Sequence, residues 1–316
     1  MTNLRLHGSG TAAMPANGLN HALGALIGLA VGDALGTTLE FETRDTKPPV
    51  TDMVGGGPFN LNAGQWTDDT AMALCLADSL LACDGLDERD LMERFCRWHE
   101  LGENSCTGSC FDIGIATRKA LESFRRTNDP VAGPVDPRNA GNGSIMRLAP
   151  VALRFWNDDD RLKDAARRQS YTTHGAQESV DGCDALATVL AALIGGKPLS
   201  DVLSATHGPF CPGVQAIMNG SWRGKARGEI RSSGYVIDSL ESAFWCLSET
   251  TTFRDAVLLA VNLGDDADTV GAITGQMAGA AYGVAAIPEE WFAPLAWNAR
   301  LATTAEHLFE ASISER

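Results

Sequence analysis

Two short stretches of this chain concentrate acids where a helix is about to begin. Gln65-Trp66-Thr67-Asp68-Asp69-Thr70 stands directly before the helical run 71–81, and Gly264-Asp265-Asp266-Ala267-Asp268-Thr269 stands directly before 270–282. Each sets adjacent carboxylates and a Thr hydroxyl at a helix start, where an acid caps an orphan amide and complements the positive helix end. Capping explains one or two of these acids. It does not explain three carboxylates within 265–268 beside a glycine, because like charges that close repel unless a cation neutralises them. Carboxylate and hydroxyl oxygens select hard ions such as Mg²⁺ or Mn²⁺ over zinc. Two such tips, one from each half of the chain, make a two-metal centre if the fold brings them together.

Other stretches carry weaker signals. Gly32-Asp33-Ala34-Leu35-Gly36 closes the first helix, with Gly36 placed as a C-cap. Asp33 and Glu40 read equally well as surface acids. Gly141-Asn142-Gly143-Ser144-Ile145-Met146-Arg147 is glycine-rich backbone ahead of a helix, an amide nest suited to a phosphate. It is neither a P-loop nor a dinucleotide fingerprint, and an ordinary helix-entry loop has the same composition. Asp112 reads equally as an N-cap, His174 as a hydrogen-bonded structural histidine, and Tyr235 taken alone as core.

The elements that must position these residues are helical. Apolar residues recur at three- and four-residue intervals over 20–35, 67–83, 87–101, 112–126, 145–155, 160–170, 178–195, 236–248, 252–263, 268–284 and 298–311. Alternating strand patterns are nearly lacking. Gly/Pro-rich breaks fall at 47–64, 128–143, 195–198, 208–234 and 287–294. The pattern predicts one all-α domain over 20–316, after a polar tail over 1–19. Glycines at 24, 28 and 32 and at 271, 275, 279 and 283 each recur every fourth residue, so each set lies on one helix side and predicts close helix packing.

With 25 Lys+Arg against 40 Asp+Glu, the formal charge of the 316-residue chain is −15. That balance disfavours nucleic acid and anionic membrane surfaces as partners. The apolar runs 22–31 and 270–288 are punctuated by glycine and polar residues and read as core helices. Eight scattered Cys show no CxxC spacing and predict free thiols in a reducing compartment. A cytoplasmic monomer is the expectation.

Taken in order, these stretches resemble the ADP-ribosylglycohydrolase family, the group of the dinitrogenase-reductase-activating glycohydrolase. The likeness runs from about residue 19 to about 291. It is carried by Gly28-Leu29-Ala30-Val31-Gly32-Asp33-Ala34-Leu35-Gly36, Trp66–Thr70, Cys110-Phe111-Asp112-Ile113-Gly114, Gly141–Arg147, Thr173-His174, Gly234-Tyr235-Val236-Ile237-Asp238 and Gly264–Gly271. The resemblance implies an all-α orthogonal helical bundle with two Mg²⁺ or Mn²⁺ ions held by Thr67, Asp68, Asp69, Asp266, Asp268 and Thr269. Asp265 falls outside that set. The resemblance gives catalytic roles to Glu40, Asp69, Asp112 and Asp268, and ADP-ribose contacts to Phe111, Gly141, Asn142, Gly143, Ser144, Met146, Arg147, His174 and Tyr235. It implies that a metal-activated water removes ADP-ribose from a modified protein at the anomeric carbon. Asp112 would pair with a guanidinium, which makes arginine the preferred linkage. Ile115 departs from the polar residue expected after Gly114.

Two other readings accompany this one. In one, the protein is an immunity protein that counteracts a cognate ADP-ribosyltransferase, by hydrolysis or by inserting residues 1–19 into its active site. In the other, it is a non-catalytic relative, which the full set of carboxylates argues against.

Overall fold

A computed structural model describes residues 17–314. The chain is all-α: fourteen α-helices and no strand among the described residues, with isolated bridges at Gly56–Leu61 and Gly141–Tyr235. The first half holds α1 (Gly18–Gly36), α2 (Asp68–Ala82), α3 (Glu88–Leu101), α4 (Ile115–Thr127), α5 (Ala149–Phe155), α6 (Asp159–Thr173) and α7 (Gln177–Ile194). The second holds α8 (Leu199–Ser204), α9 (Pro212–Met218), α10 (Val236–Ser248), α11 (Phe253–Val261), α12 (Ala267–Tyr282), α13 (Glu289–Phe292) and α14 (Asn298–Ser314).

The central pair is α1 and α12. Both are apolar almost all round, the pattern of a helix buried on every side. The two glycine sets face each other. A methyl group built on Gly24, Gly28 or Gly32 would overlap the carbonyl oxygen of Gly279, Gly275 or Gly271 in turn. Backbone therefore packs directly on backbone, which offsets the ~1 kcal/mol that each helical glycine costs against alanine. Gly36 belongs to the same seam. Its φ of −70° is right-handed, so it is no left-handed C-cap, and a methyl there would strike Ala267 and Asp268. By length and composition 18–39 could cross a membrane, but this segment is mostly buried inside the protein.

Amphipathic helices wrap the pair. In α3 the residues Leu91, Met92, Phe95, Cys96 and Trp98 face inward, Asp87 caps the start by accepting from the Asp90 amide, and Gly102 at φ 69° ends it. Asp158 and Thr252 cap α6 and α11 in the same way. One continuous apolar core runs from Ala22 to Phe309.

The structure adjusts several expected boundaries. Gly18 and Leu19 already belong to α1, Asn17 is its N-cap, and the remainder of the expected tail, 1–16, lies outside the described residues. The helix expected from 112 begins at Ile115, and the one expected from 145 begins at Ala149. The short helices α8, α9 and α13 are too brief for periodicity to reveal. All eight cysteines are free.

Candidate active site

The seam between α1 and α12 sets the start of α12 beside the end of α1, and α2 begins at the same place. Thr67 is the N-cap of α2 but makes no side-chain cap bond. Asp33 of α1 does that work: its Oδ1 accepts from the Thr67 amide (2.8 Å) and hydroxyl (2.9 Å). Its Oδ2 accepts from the Thr70 amide (3.0 Å) and hydroxyl (2.6 Å). Asp33 is thus fully buried and not a surface acid. Since it satisfies the helix end, Asp68 and Asp69 are left for other work.

The two acidic tips meet. The Thr67 hydroxyl lies 3.2 Å from Asp268 Oδ2, and the Thr269 hydroxyl lies 3.4 Å from Asp69 Oδ2. Thr67 Oγ1 faces Asp33, Asp69 and Asp268 with a single proton to give. At the start of α12, Asp266 makes no cap bond either. Its amide donates to Ser232 O (2.9 Å), and its Oδ2 accepts from Asn142 Nδ2 at 2.5 Å. Glu40, buried and not at the surface, brings a carboxylate oxygen to within 4.8 Å of those of Asp266 and Asp268. Asp265 is a turn residue with φ 56°; its backbone pairs with Phe41 and Glu42.

Packing so many acids together has an electrostatic cost. Burial first, and then the neighbouring acids, push Asp68, Asp69 and Glu40 far above the usual carboxylate range. Burial and Asp268 push Asp112 up to about 9, and Asp33 and Asp266 up to about 7. Asp69 Oδ1 is buried without a hydrogen-bond partner. An orphaned carboxyl oxygen among further carboxyls and hydroxyls is a donor set that fits hard divalent cations, whose charge would favour the ionised acids.

Above the acids lies a cleft of about 970 Å³. Glu40, Asp68, Asp112, Asp266, Asp268 and Thr269 line its floor, and Gly141, Asn142, Gly143, Met146 and His174 line a wall. Asp112 is no N-cap, for Gly114 holds that position. It stands before α4 with φ 59°, in the left-handed region that Asp tolerates better than most residues, and its carboxyl approaches that of Asp268. The His174 ring packs on Gly141 and Gly143, where a methyl group at Gly143 would come within 2.7 Å of it. His174 Nδ1 lies 2.9 Å from the Thr173 hydroxyl, and burial, then Arg147, pulls its pKa down to about 3.

Some expected ligand residues face elsewhere. Arg147 is fully buried, stacked on Phe95 and donating to Gln169 and Thr173, so it braces the wall from behind and does not reach the cleft. Ser144 also points inward, to Ser170 and Cys183. Four amides of the glycine-rich loop, at 141, 142, 145 and 146, already serve protein carbonyls. Phe111 packs on Phe59. Tyr235 stands beside the cleft, bridged to Gly141 through the backbone, with its hydroxyl donating to Glu178 at 2.7 Å.

Sequence reading missed Arg44. Its Nε donates to Leu263 O (2.8 Å), Nη1 to Arg227 O (2.7 Å) and Nη2 to Ile230 O (2.7 Å). One guanidinium thus ties the Glu40 loop to the segments before Ser232 and Asp266. Its partners are backbone carbonyls, which leave no trace in side-chain spacing.

The sequence model of the ADP-ribosylglycohydrolase family matches residues 14–316. The chain is 47% identical over 296 residues to the ADP-ribosylarginine hydrolase Tri1 of Pseudomonas putida, spanning 94% of this chain and 80% of that protein. It is 48% identical to the protein of the same name from Serratia proteamaculans, spanning 92% and 79%. Identity is 34% to the ADP-ribosyl-[dinitrogen reductase] glycohydrolase of Rhodospirillum rubrum, over 87% and 90% of the two chains. A solved structure described as an ADP-ribosylglycohydrolase-related protein complex superposes with a TM-score of 0.84 at 40% identity, covering 94% of this chain and all of that one. The chain belongs to the ADP-ribosylglycohydrolase family and is a hydrolase of glycosyl bonds.

Proposed function

We propose that this enzyme removes ADP-ribose from arginine side chains of modified proteins. The observation that carries the reading is the meeting of the Asp68–Asp69 and Asp266–Asp268 tips beneath a cleft into which Asp112 projects. The two relatives named as ADP-ribosylarginine hydrolases support the linkage.

Each residue has a task that its surroundings suit. Burial and Asp268 raise the pKa of Asp112; a guanidinium placed beside it would favour the carboxylate and donate charge-assisted hydrogen bonds to it. His174 is neutral at ordinary pH. Arg147 donates to Thr173 Oγ1, so the Thr173 hydroxyl proton is available to His174 Nδ1, leaving Nε2–H to donate towards the glycine wall and a phosphate oxygen. Asn142 steers Asp266 through its amide. Two divalent cations, Mg²⁺ or Mn²⁺, would be held by Thr67, Asp68, Asp69, Asp266, Asp268 and Thr269, and would supply charge neutralisation and water activation for attack at the anomeric carbon. Glu40, close to that set, and Asp69, within it, would orient the attacking water and take up its proton. Tyr235 would pack on the ligand at the cleft edge.

The test offers the enzyme arginine-, serine- and DNA-linked ADP-ribose with Mg²⁺, with Mn²⁺ and with EDTA. Loss of the arginine conjugate only with a divalent ion is the expected result. Preference for another linkage, or full turnover in EDTA, overturns the reading.

A further inference from the structure

The floor of the cleft is acidic, but its mouth is apolar. Phe41 and Ile115 both line the cleft and still keep 67% and 74% of their surface in water. Ile113, next to Asp112 in the chain, lines it as well. Phe41 meets Phe59 edge-on with ring centroids 6.3 Å apart, and Phe59 lies 5.1 Å from Phe111. The three rings link the Glu40 loop to the 111–115 segment, which carries Asp112.

The exposure of Phe41 is built in. Its φ is 61°, a region that bulky side chains rarely adopt. Two backbone bonds hold it there: Phe41 N donates to Asp265 O (2.8 Å) and Asp265 N donates to Glu42 O (2.8 Å). Backbone strain that keeps a large ring in water is retained where the exposed ring has work to do. Single exposed apolar residues need no explanation, but Phe41 and Ile115 stand on one opening, which the half-buried Ile113 also lines.

We propose that this rim is a docking surface for the polypeptide that carries the modified side chain. Its occupant is a segment with an apolar residue next to the ADP-ribosylated arginine. The proposal rests on the arginine reading above. Charge complementarity selects this occupant: below the rim Asp112, outside the cation-holding set, admits a cationic group, and at the rim Phe41, Ile113 and Ile115 offer its flanks no charge to meet. A ligand lying wholly within the cleft would leave the outer faces of Phe41 and Ile115 wet, whereas flanking residues of a polypeptide would cover them.

The experiment compares two substrates: an ADP-ribosylated peptide with Leu on either side of its arginine, and free ADP-ribosyl-arginine. Phe41→Asn keeps a residue that tolerates a left-handed backbone, and is combined with Ile115→Ser. The double variant should lose about tenfold or more in kcat/KM on the peptide, mainly through KM, and stay within about twofold of the parent on free ADP-ribosyl-arginine. Replacing the peptide's leucines with serines should cost the parent enzyme a similar factor and the double variant little. Equal losses on both substrates would assign the rim to ADP-ribose itself and overturn the proposal, as would no loss on either. A parent enzyme that cleaves neither arginine substrate but does release ADP-ribose from another linkage would remove the arginine reading, and the proposal with it.

Discussion

Asp33 caps a helix to which it does not belong: its Oδ2 accepts both the amide (3.0 Å) and the hydroxyl (2.6 Å) of Thr70, in the first turn of α2. With Oδ1 engaged by Thr67, this single buried carboxylate serves four donors. Asp33→Ala leaves both amides and the Thr70 hydroxyl without this buried acceptor, while the Thr67 hydroxyl can turn to Asp268. A loss of about 3 kcal/mol or more is expected, read as a fall in the urea midpoint at unchanged slope. Asp33→Asn, which keeps one carbonyl oxygen, should lose less. A stable Asp33→Ala protein would show that α2 is capped by other means.

Gly28→Ala should also destabilise, although alanine is the better helix former by ~1 kcal/mol. The new methyl would overlap Gly275 O, and backbone cannot step aside as a side-chain tip can. A cost of about 3 kcal/mol is expected from denaturant unfolding, in the range of overpacked cores. The exposed Gly228, with open space at its Cβ position, is the control: Gly228→Ala should change stability by less than about 0.5 kcal/mol.

Arg44 acts on the acidic tip from outside it. Arg44→Ala removes three bonds to backbone carbonyls and frees the segments that precede Ser232 and Asp266. Mn²⁺ affinity, read by titration calorimetry, should fall by about 10- to 100-fold, the usual effect of losing support behind a ligand. Arg44→Lys should recover little, because a single ammonium cannot span the three acceptors. Unchanged affinity in Arg44→Ala would show that the tip is held by its own backbone bonds.

His174 sets a pH dependence. Its folded pKa of about 3 lies below the unfolded value near 6.5. At pH above about 6.5 both states carry neutral imidazole, and its contribution is complete. As pH falls from there towards 3, the unfolded chain takes up a proton that the folded protein refuses, and stability drains away. His174→Gln should reduce that acid loss by an amount on the order of a few kcal/mol between about pH 6 and 3, in thermal melts across the range. Parallel pH profiles for parent and variant would place the acid sensitivity elsewhere.

The helices and the acid tips were legible because both are local. Spacing of three and four residues marked α1, α2, α3 and α12 to within a few positions, and two Asp-rich starts stood out by composition. The glycine stripes also foretold close helix packing, though only the structure shows that the two stripes pack on each other. Roles that depend on side-chain direction were not legible. Ser144 and Arg147 sit in a motif that reads as a ligand loop, yet both turn inward, while Met146 between them lines the cleft. Asp33 read as a surface acid at even odds because its partners, Thr67 and Thr70, lie more than thirty residues away.

Sequence alone therefore determined the helical class and the presence of two acidic tips that repel unless something joins them. Only the tertiary structure decided that they meet, that Glu40 and Asp112 close over them, and that Asp33 and Arg44 hold the arrangement from behind. The physical reason is range. Periodicity and capping act within a turn or two of chain, whereas a pocket's charge balance is set by groups brought together across more than two hundred residues, and it exists only once the backbone seam of α1 and α12 has closed.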